Sequence, residues 1–278
     1  MNRCFAILTI LILAQSCLQA EEIKLLSWNV ESDRPNVDTN DAAVIAEQLG
    51  DLQSDRGPYD LIALTEVRSS NSRTYETAVE IGGVDYAAFT SSSGGSDRMM
   101  LLVRSDRFAV VGTGARELVS GGDSITFPGG NSRRPLVVTL RDTQNDNLPF
   151  QFMVNHLTRG NQLARRRQAE GLREWARLQE LPIIAAGDYN FDYDFRNLTG
   201  NQAMSIFMRR DANDGGEFVW DWIIPGVEFE VEGEDDATRR IGLIGELIDT
   251  NWDGSGIADN YRDSLLDFIF VGQGARDW

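Results

Sequence analysis

Six polar residues stand at the ends of short apolar runs, or inside one, and their side chains are of kinds that bind cations or move protons. Asn29 closes Leu25-Leu26-Ser27-Trp28, and Glu66 closes Leu61-Ile62-Ala63-Leu64-Thr65. His156 closes Phe152-Met153-Val154-Asn155, and Asp188 closes Ile183-Ile184-Ala185-Ala186-Gly187, with Asn190 two residues further on. Asp267 is embedded between Leu265-Leu266 and Phe268-Ile269-Phe270. Carboxylate and amide oxygens suit hard cations such as Mg²⁺, Mn²⁺ or Ca²⁺. An imidazole can give or take a proton at physiological pH. An aspartate buried without a partner in an apolar run costs several kcal/mol, so Asp267 calls for a hydrogen-bonded histidine or a metal. Each residue alone also has a plainer reading: Glu66 as a solvated loop residue, Asn29 as a turn cap, Gly187-Asp188-Tyr189-Asn190 as a tight Asx turn, and His156 as a hydrogen-bonded strand residue.

The elements that must position these residues are mostly strands. Apolar runs predict strands over Ile23–Val30, Leu61–Thr65, Tyr86–Thr90, Met99–Arg104, Phe108–Gly112, Leu136–Leu140, Phe150–Asn155, Ile183–Ala186 and Leu265–Val271. Asp41–Leu52 predicts a helix with Ile45, Leu49 and Leu52 on one face, and Asn161–Glu180 a longer one with Arg165-Arg166-Arg167 near its start. Ser91–Asp97 and Ser120–Ser132 read as glycine-rich loops. Strands this numerous, with helices between some of them, predict two packed sheets flanked by helices in one domain over residues 21–278.

Composition narrows the class. The chain has 278 residues, 42% of them apolar and 25% charged, which is globular and not disordered. Its net charge of −17 opposes the phosphate-neutralising term of non-specific nucleic-acid binding, so a passive DNA coat is excluded. An enzyme that meets phosphate through a bound cation is not, because the ion reverses the local field. Residues 1–20 read as a secretory signal peptide, with Arg3 before the apolar run Cys4–Ala14 and cleavage after Ala20. A lipoprotein signal ending at Cys17 is the less favoured reading, since Ala14-Gln15-Ser16 is a poor match before it. Both cysteines, Cys4 and Cys17, leave with such a signal, and disulfides, zinc–thiolate sites and cysteine nucleophiles leave with them.

As an ordered set, Ser27-Trp28-Asn29-Val30, Ala63-Leu64-Thr65-Glu66-Val67, Arg134-Pro135-Leu136, Asn155-His156-Leu157, Gly187-Asp188-Tyr189-Asn190 and Leu266-Asp267-Phe268-Ile269-Phe270 resemble the endonuclease/exonuclease/phosphatase family, the fold group of deoxyribonuclease I. The resemblance runs from about Ile23 to Val271 and implies a four-layered α/β sandwich, with two mostly antiparallel sheets, that hydrolyses phosphoesters with a divalent metal. By that resemblance Glu66 binds the cation, Mg²⁺ or Mn²⁺, with Asn29 beside it. His156 bonds a phosphate oxygen or serves as an acid, Asp267 orients it, and Asp188 and Asn190 position the attacking water and the phosphate. Arg98, Arg133, Arg134 and Arg159 are candidate phosphate contacts by location alone, with solvated arginines as the alternative.

The sequence departs from the family in one place: the closing Ser-Asp-His and the strand after it have no counterpart, and His156 is the single histidine. The expectation is a fragment of a longer chain, because a sandwich without its last strand exposes a sheet edge; the alternative is a protein without the usual base. Asp249, Asn251 and Asp253, followed by Gly254, match the start of a Ca²⁺ loop, but its twelfth residue is Asn260 instead of glutamate. An Asx-rich surface loop competes with that reading. The sequence thus leads to an exported metal-dependent phosphoesterase, first a nuclease acting on phosphodiesters of nucleic acid. A phosphatase or phospholipase acting on lipid or inositol head groups is the rival. From another class, a non-catalytic secreted binding domain of the same fold is the alternative.

Overall fold

The computed structural model describes residues 23–32, 41–80, 82–118, 133–144, 149–194, 199–208, 220–222 and 264–272. The signal peptide, the Ca²⁺-loop residues Asp249, Asn251 and Asp253, and the chain after Gly272 lie outside them.

One sheet holds β1 (Leu25–Asn29), β2 (Leu61–Val67), β4 (Arg98–Arg104) and β3 (Tyr86–Thr90), in that order. The other holds β5 (Phe108–Glu117), β6 (Leu136–Asp142), β7 (Pro149–His156), β8 (Ile183–Asp194), β10 (Ser264–Gly272) and β9 (Trp220–Trp222). Only the β1–β2 and β7–β8 pairs are parallel among the described strands. Alternation along the central strands builds two of the three cores. Leu61, Ala63, Met99, Leu101 and Val103 face Val138, Leu140, Phe152 and Val154 of the second sheet. Their neighbours Ile62, Leu64, Met100 and Leu102 turn outward, against Ile45 and Leu49 of α1 (Ala42–Arg56) and Tyr75 and Val79 of α2 (Ser72–Val79). The outer face of the second sheet packs on α3 (Gln162–Arg177) and α4 (Gln202–Phe207) through Leu172, Trp175 and Phe207. Helices, sheet, sheet and helices make four layers, as the sequence predicted.

Helix starts follow capping chemistry: the Asp41, Asn161 and Asn201 side chains accept from Ala43, Ala164 and Ala203 N–H groups. At one end of the sandwich, Asp60 before β2 and Asp142 at the end of β6 are both buried and both bonded by the buried Arg107, at 2.7 Å to Asp60 and 3.0 Å to Asp142. This ion group ties the two sheets together, and removing one partner of such a group costs about 3–5 kcal/mol.

The structure corrects the sequence reading of β8. Ile183–Ala186 does not stop at a tight turn, and Gly187-Asp188-Tyr189-Asn190 continues the strand to Asp194. Asp188 pairs with Asp267 and Tyr193 with Leu265, so four residues of β8 bulge opposite one of β10. Asn190 and Asp192 take left-handed backbone, with φ of 50° and 48°. The cause is packing: Tyr189 and Phe191 are buried on one face against Phe207, Phe268 and Phe270, which holds the chain in the sheet. Gly187 is required here, since at φ 126° a Cβ would lie 2.1 Å from the Asn155 carbonyl oxygen on β7. That close approach lets the His156 end and the Asp188 segment run side by side.

Candidate active site

Parallel pairing decides where the site forms. β1 and β2 run together, and so do β7 and β8, so the C-terminal ends of all four reach the edge opposite the Asp60–Arg107–Asp142 group. In the second sheet His156 pairs with Asp188 and Asp188 with Asp267, giving one row across three strands. The first sheet adds Asn29 and Glu66. Glu66 sits at a bulge between Leu64 and Val67 with φ 56°, a costly conformation for a side chain larger than glycine. Its carbonyl oxygen accepts from the Ser32 N–H at 3.1 Å and the Ser32 hydroxyl at 3.2 Å, which hold the bulge in place.

The side chains converge. Asn29 Nδ2 donates to Glu66 Oε1 and to Asp188 Oδ2, each at 3.1 Å, while Asn29 Oδ1 accepts from the Glu31 N–H. His156 Nε2 lies 3.5 Å from the same two carboxylate oxygens. Ligand atoms of Glu66, His156 and Asp188 are within 4.8 Å of one another, a spacing that a single cation could bridge. Asp188 is buried, and that burial pushes its carboxyl above the usual range against the opposing charge of His156. Asp267 rises further, through burial first and then the nearby carboxylates of Asp188, Glu66 and Glu31. Its Oδ1 is buried with no hydrogen-bond partner among the described residues.

Asp267 does not orient His156, as the resemblance implied. Asp188 stands between them in the sheet, and His156 Nδ1 instead meets Asp97 Oδ1 at 3.0 Å. Asp97 gave no signal of its own in the sequence, because it ends the serine–glycine run Ser91–Asp97 read only as a loop. Gly94 makes that loop possible: at φ 91° a Cβ would lie 2.1 Å from the Asp97 carbonyl oxygen. Burial works against the Asp97 carboxylate, but the hydrogen bond and charge of His156 and the charge of Arg133 hold its pKa below the usual value.

Two of the arginines offered as candidate phosphate contacts, Arg98 and Arg133, are engaged by the protein's own groups. Arg133 pairs with Asp97 and donates to the carbonyls of His156 at 3.2 Å and Leu157 at 3.0 Å. Arg98 donates to the carbonyls of Gly95 and Ser91, closing the loop on itself. Backbone acceptors take up these guanidinium groups. Arg134 and Arg159 are exposed on the loops beside the site. Asn190 is fully buried, and its amide donates to the Leu157 carbonyl at 2.9 Å while its N–H donates to Asp188 Oδ1 at 2.7 Å. It braces Asp188 against the chain that follows His156.

Asp267 carries a pH prediction. With its folded pKa raised, the neutral carboxyl's contribution is fully present below the unfolded value of about 3.9 and is lost as pH rises through the folded value. Asp267→Asn keeps the shape without the charge. In EDTA its melting temperature should exceed the wild type's at pH 7, and the gap should close near pH 4; equal melting temperatures at pH 7 would remove Asp267 from the crowded charge.

Known proteins share this fold. The Endonuclease/Exonuclease/phosphatase family matches residues 26–276. Among solved structures, an endonuclease/exonuclease/phosphatase family protein from Bacteroides thetaiotaomicron is 16% identical, with a TM-score of 0.59 over 92% of this chain and 84% of that one. D. rerio TDP2 complexed with single-strand DNA product is 17% identical, with a TM-score of 0.58 over 90% and 83%. A mannosyl-6-phosphatase from Bacteroides thetaiotaomicron is 18% identical, with a TM-score of 0.55 over 91% and 86%. No curated protein matches the sequence. With matching layers, the ordered strand-end residues in one place and a family match over nearly the whole length, the chain belongs to the endonuclease/exonuclease/phosphatase family.

Proposed function

We propose that this chain is an exported, divalent-metal-dependent phosphoesterase that hydrolyses phosphodiester bonds, with nucleic acid as its first candidate substrate. The observation that carries the reading is the convergence of Glu66 and Asp188 on the His156 imidazole at a strand edge, with Asp267 beside Asp188 in the sheet and crowded by the same carboxylates. A divalent cation fits that donor set: the two carboxylates offer the oxygen donors that suit Mg²⁺ or Mn²⁺, and the imidazole nitrogen is left for proton exchange. Glu66 and Asp188 would hold it, with Asn29 fixing the spacing of the two carboxylates. When bound, it offsets charge gathering on the phosphoryl oxygens.

The chain's own residues supply the rest. Asp97 accepts from Nδ1–H of His156, which leaves Nε2 to exchange a proton with the phosphoryl group. Asp188 accepts a hydrogen bond from the attacking water, and the Asn190 N–H fixes the direction of its carboxylate. Exposed Arg134 and Arg159 face anionic substrate from the neighbouring loops. A small phosphomonoester is the second reading, favoured by the net charge of −17, which disfavours a long polyanion.

In the metal experiment, millimolar Mg²⁺ or Mn²⁺ should raise the wild-type melting temperature and support cleavage of plasmid DNA and of a chromogenic phosphodiester. Glu66→Gln should weaken both responses, since it removes ligand charge. An undiminished metal shift in Glu66→Gln would put the ion elsewhere; cleavage only of monoesters would select the second reading. Export has its own test: protein recovered from the native host should begin at Glu21, and retention of Met1 on the soluble protein would refute it.

A further inference from the structure

The loop that carries Asp97 joins β3 to β4 in the first sheet, yet Asp97 serves a histidine of the second. Something must dock that loop across the gap. Glu117, the last residue of β5 in the second sheet, accepts four hydrogen bonds from it. Oε1 takes the Ser92 N–H at 2.7 Å, the Ser93 N–H at 2.8 Å and the Ser93 hydroxyl at 3.0 Å; Oε2 takes the Ser92 hydroxyl at 2.9 Å. The Ser93 hydroxyl also accepts from the Arg134 N–H at 2.9 Å, which ties in the chain entering β6. Burial opposes the Glu117 charge, but these hydrogen bonds outweigh it and keep its pKa below the usual value.

We propose that Glu117 is a positioning residue of this site: its carboxylate docks the Ser91–Asp97 loop on the second sheet and so sets the hydrogen bond between Asp97 and His156. The path is short and rigid. From Ser93 the chain turns at Gly94, Arg98 clamps Ser91 and Gly95, and Asp97 emerges against Arg133 and His156. Without the Glu117 anchor the loop keeps its internal clamp but loses its register on the second sheet. Asp97 then moves relative to a ring fixed on β7. The inference deepens the phosphoesterase reading and rests on it for its kinetic part.

His156 is the chain's single histidine, so its ring N–H signals in an NMR spectrum are unambiguous. Glu117→Ala should shift and weaken the Nδ1–H signal, which Asp97→Asn should abolish. Its kcat should fall about tenfold with KM little changed, since a misplacement of an ångström can cost that much or more. Glu117→Gln keeps an acceptor oxygen for the two loop N–H groups and should fall less than Glu117→Ala. Combined with Asp97→Asn, Glu117→Ala should add no further loss, because both act through one contact. Ser92→Ala, which drops one of the four bonds and threatens folding least, should show a smaller change of the same sign. An unmoved His156 signal in folded Glu117→Ala, or losses that multiply in the double variant, would overturn the proposal. A wild type with no turnover would fail the functional reading, while the NMR comparison would still decide the positioning role.

Discussion

Replacing His156 with alanine is expected to cut phosphodiester turnover by about 10² or more, the usual worth of a positioned proton-transfer group. Asp188→Ala is expected to do the same by leaving the attacking water without an acceptor. Both side chains are buried at the strand edge, 3.5 Å apart, and neither belongs to the apolar cores. The melting temperature should therefore stay close to the wild type's, and in Asp188→Ala relief of buried charge offsets the lost Asn190 bond. The measurement is initial rate on plasmid DNA and on a chromogenic phosphodiester with Mg²⁺, with thermal melts in parallel. Turnover that survives His156→Ala at more than about a tenth of the wild type would assign the proton transfer to another group.

Asp97→Asn is the second large effect, expected to lower kcat by about 10² with little change in KM. Asp97 meets Nδ1 with a carboxylate and so holds the ring with Nε2 turned to Glu66 and Asp188. An asparagine there can present its amide N–H to Nδ1 instead, which moves the ring proton to Nε2. With Nδ1 accepting, the Nε2 proton could leave only to give an imidazolate anion, so proton exchange at Nε2 would stop. Asn also loses the charge that pairs with Arg133, so the guanidinium keeps only its contacts to the His156 and Leu157 carbonyls. A loss confined to KM would show that Asp97 acts on substrate binding and not on the ring.

What the sequence could and could not reveal follows from how far apart the partners lie along the chain. Asn29, Glu66, His156 and Asp188 each close an apolar run, and two parallel strand pairs suffice to bring such ends to one edge. The layers were legible for the same reason: alternation in Leu61–Leu64 and Met99–Val103 already separates two faces. Asp97 was not legible, because its tie to His156 spans 59 residues and crosses between sheets, while its own loop shows only serines and glycines. The bonds of Arg98 and Arg133 to backbone carbonyls were not legible either, because position cannot tell a guanidinium that meets substrate or solvent from one that meets a carbonyl. The short helices α2 and α4 escaped prediction, having eight and six residues and only two or three buried positions each. The continuation of β8 past Gly187 was hidden by a glycine and an asparagine that ordinarily announce a turn; burial of Tyr189 and Phe191 overrode that preference.

Glu66 and Asp188 hang from different sheets, and Asn29 spans them. The distance between the two carboxylates is therefore a dimension of the sandwich, set by how thickly Leu101, Val103, Val138 and Phe152 fill the space between its sheets. Mg²⁺ wants oxygens at about 2.0–2.1 Å and Ca²⁺ at about 2.3–2.6 Å. In this architecture, then, the size of a bound ion would be gauged by hydrocarbon: trimming a methylene far from the chemistry would narrow the bite, and adding one would widen it. Selectivity among divalent ions would be inherited from the interior and not written in the ligands alone.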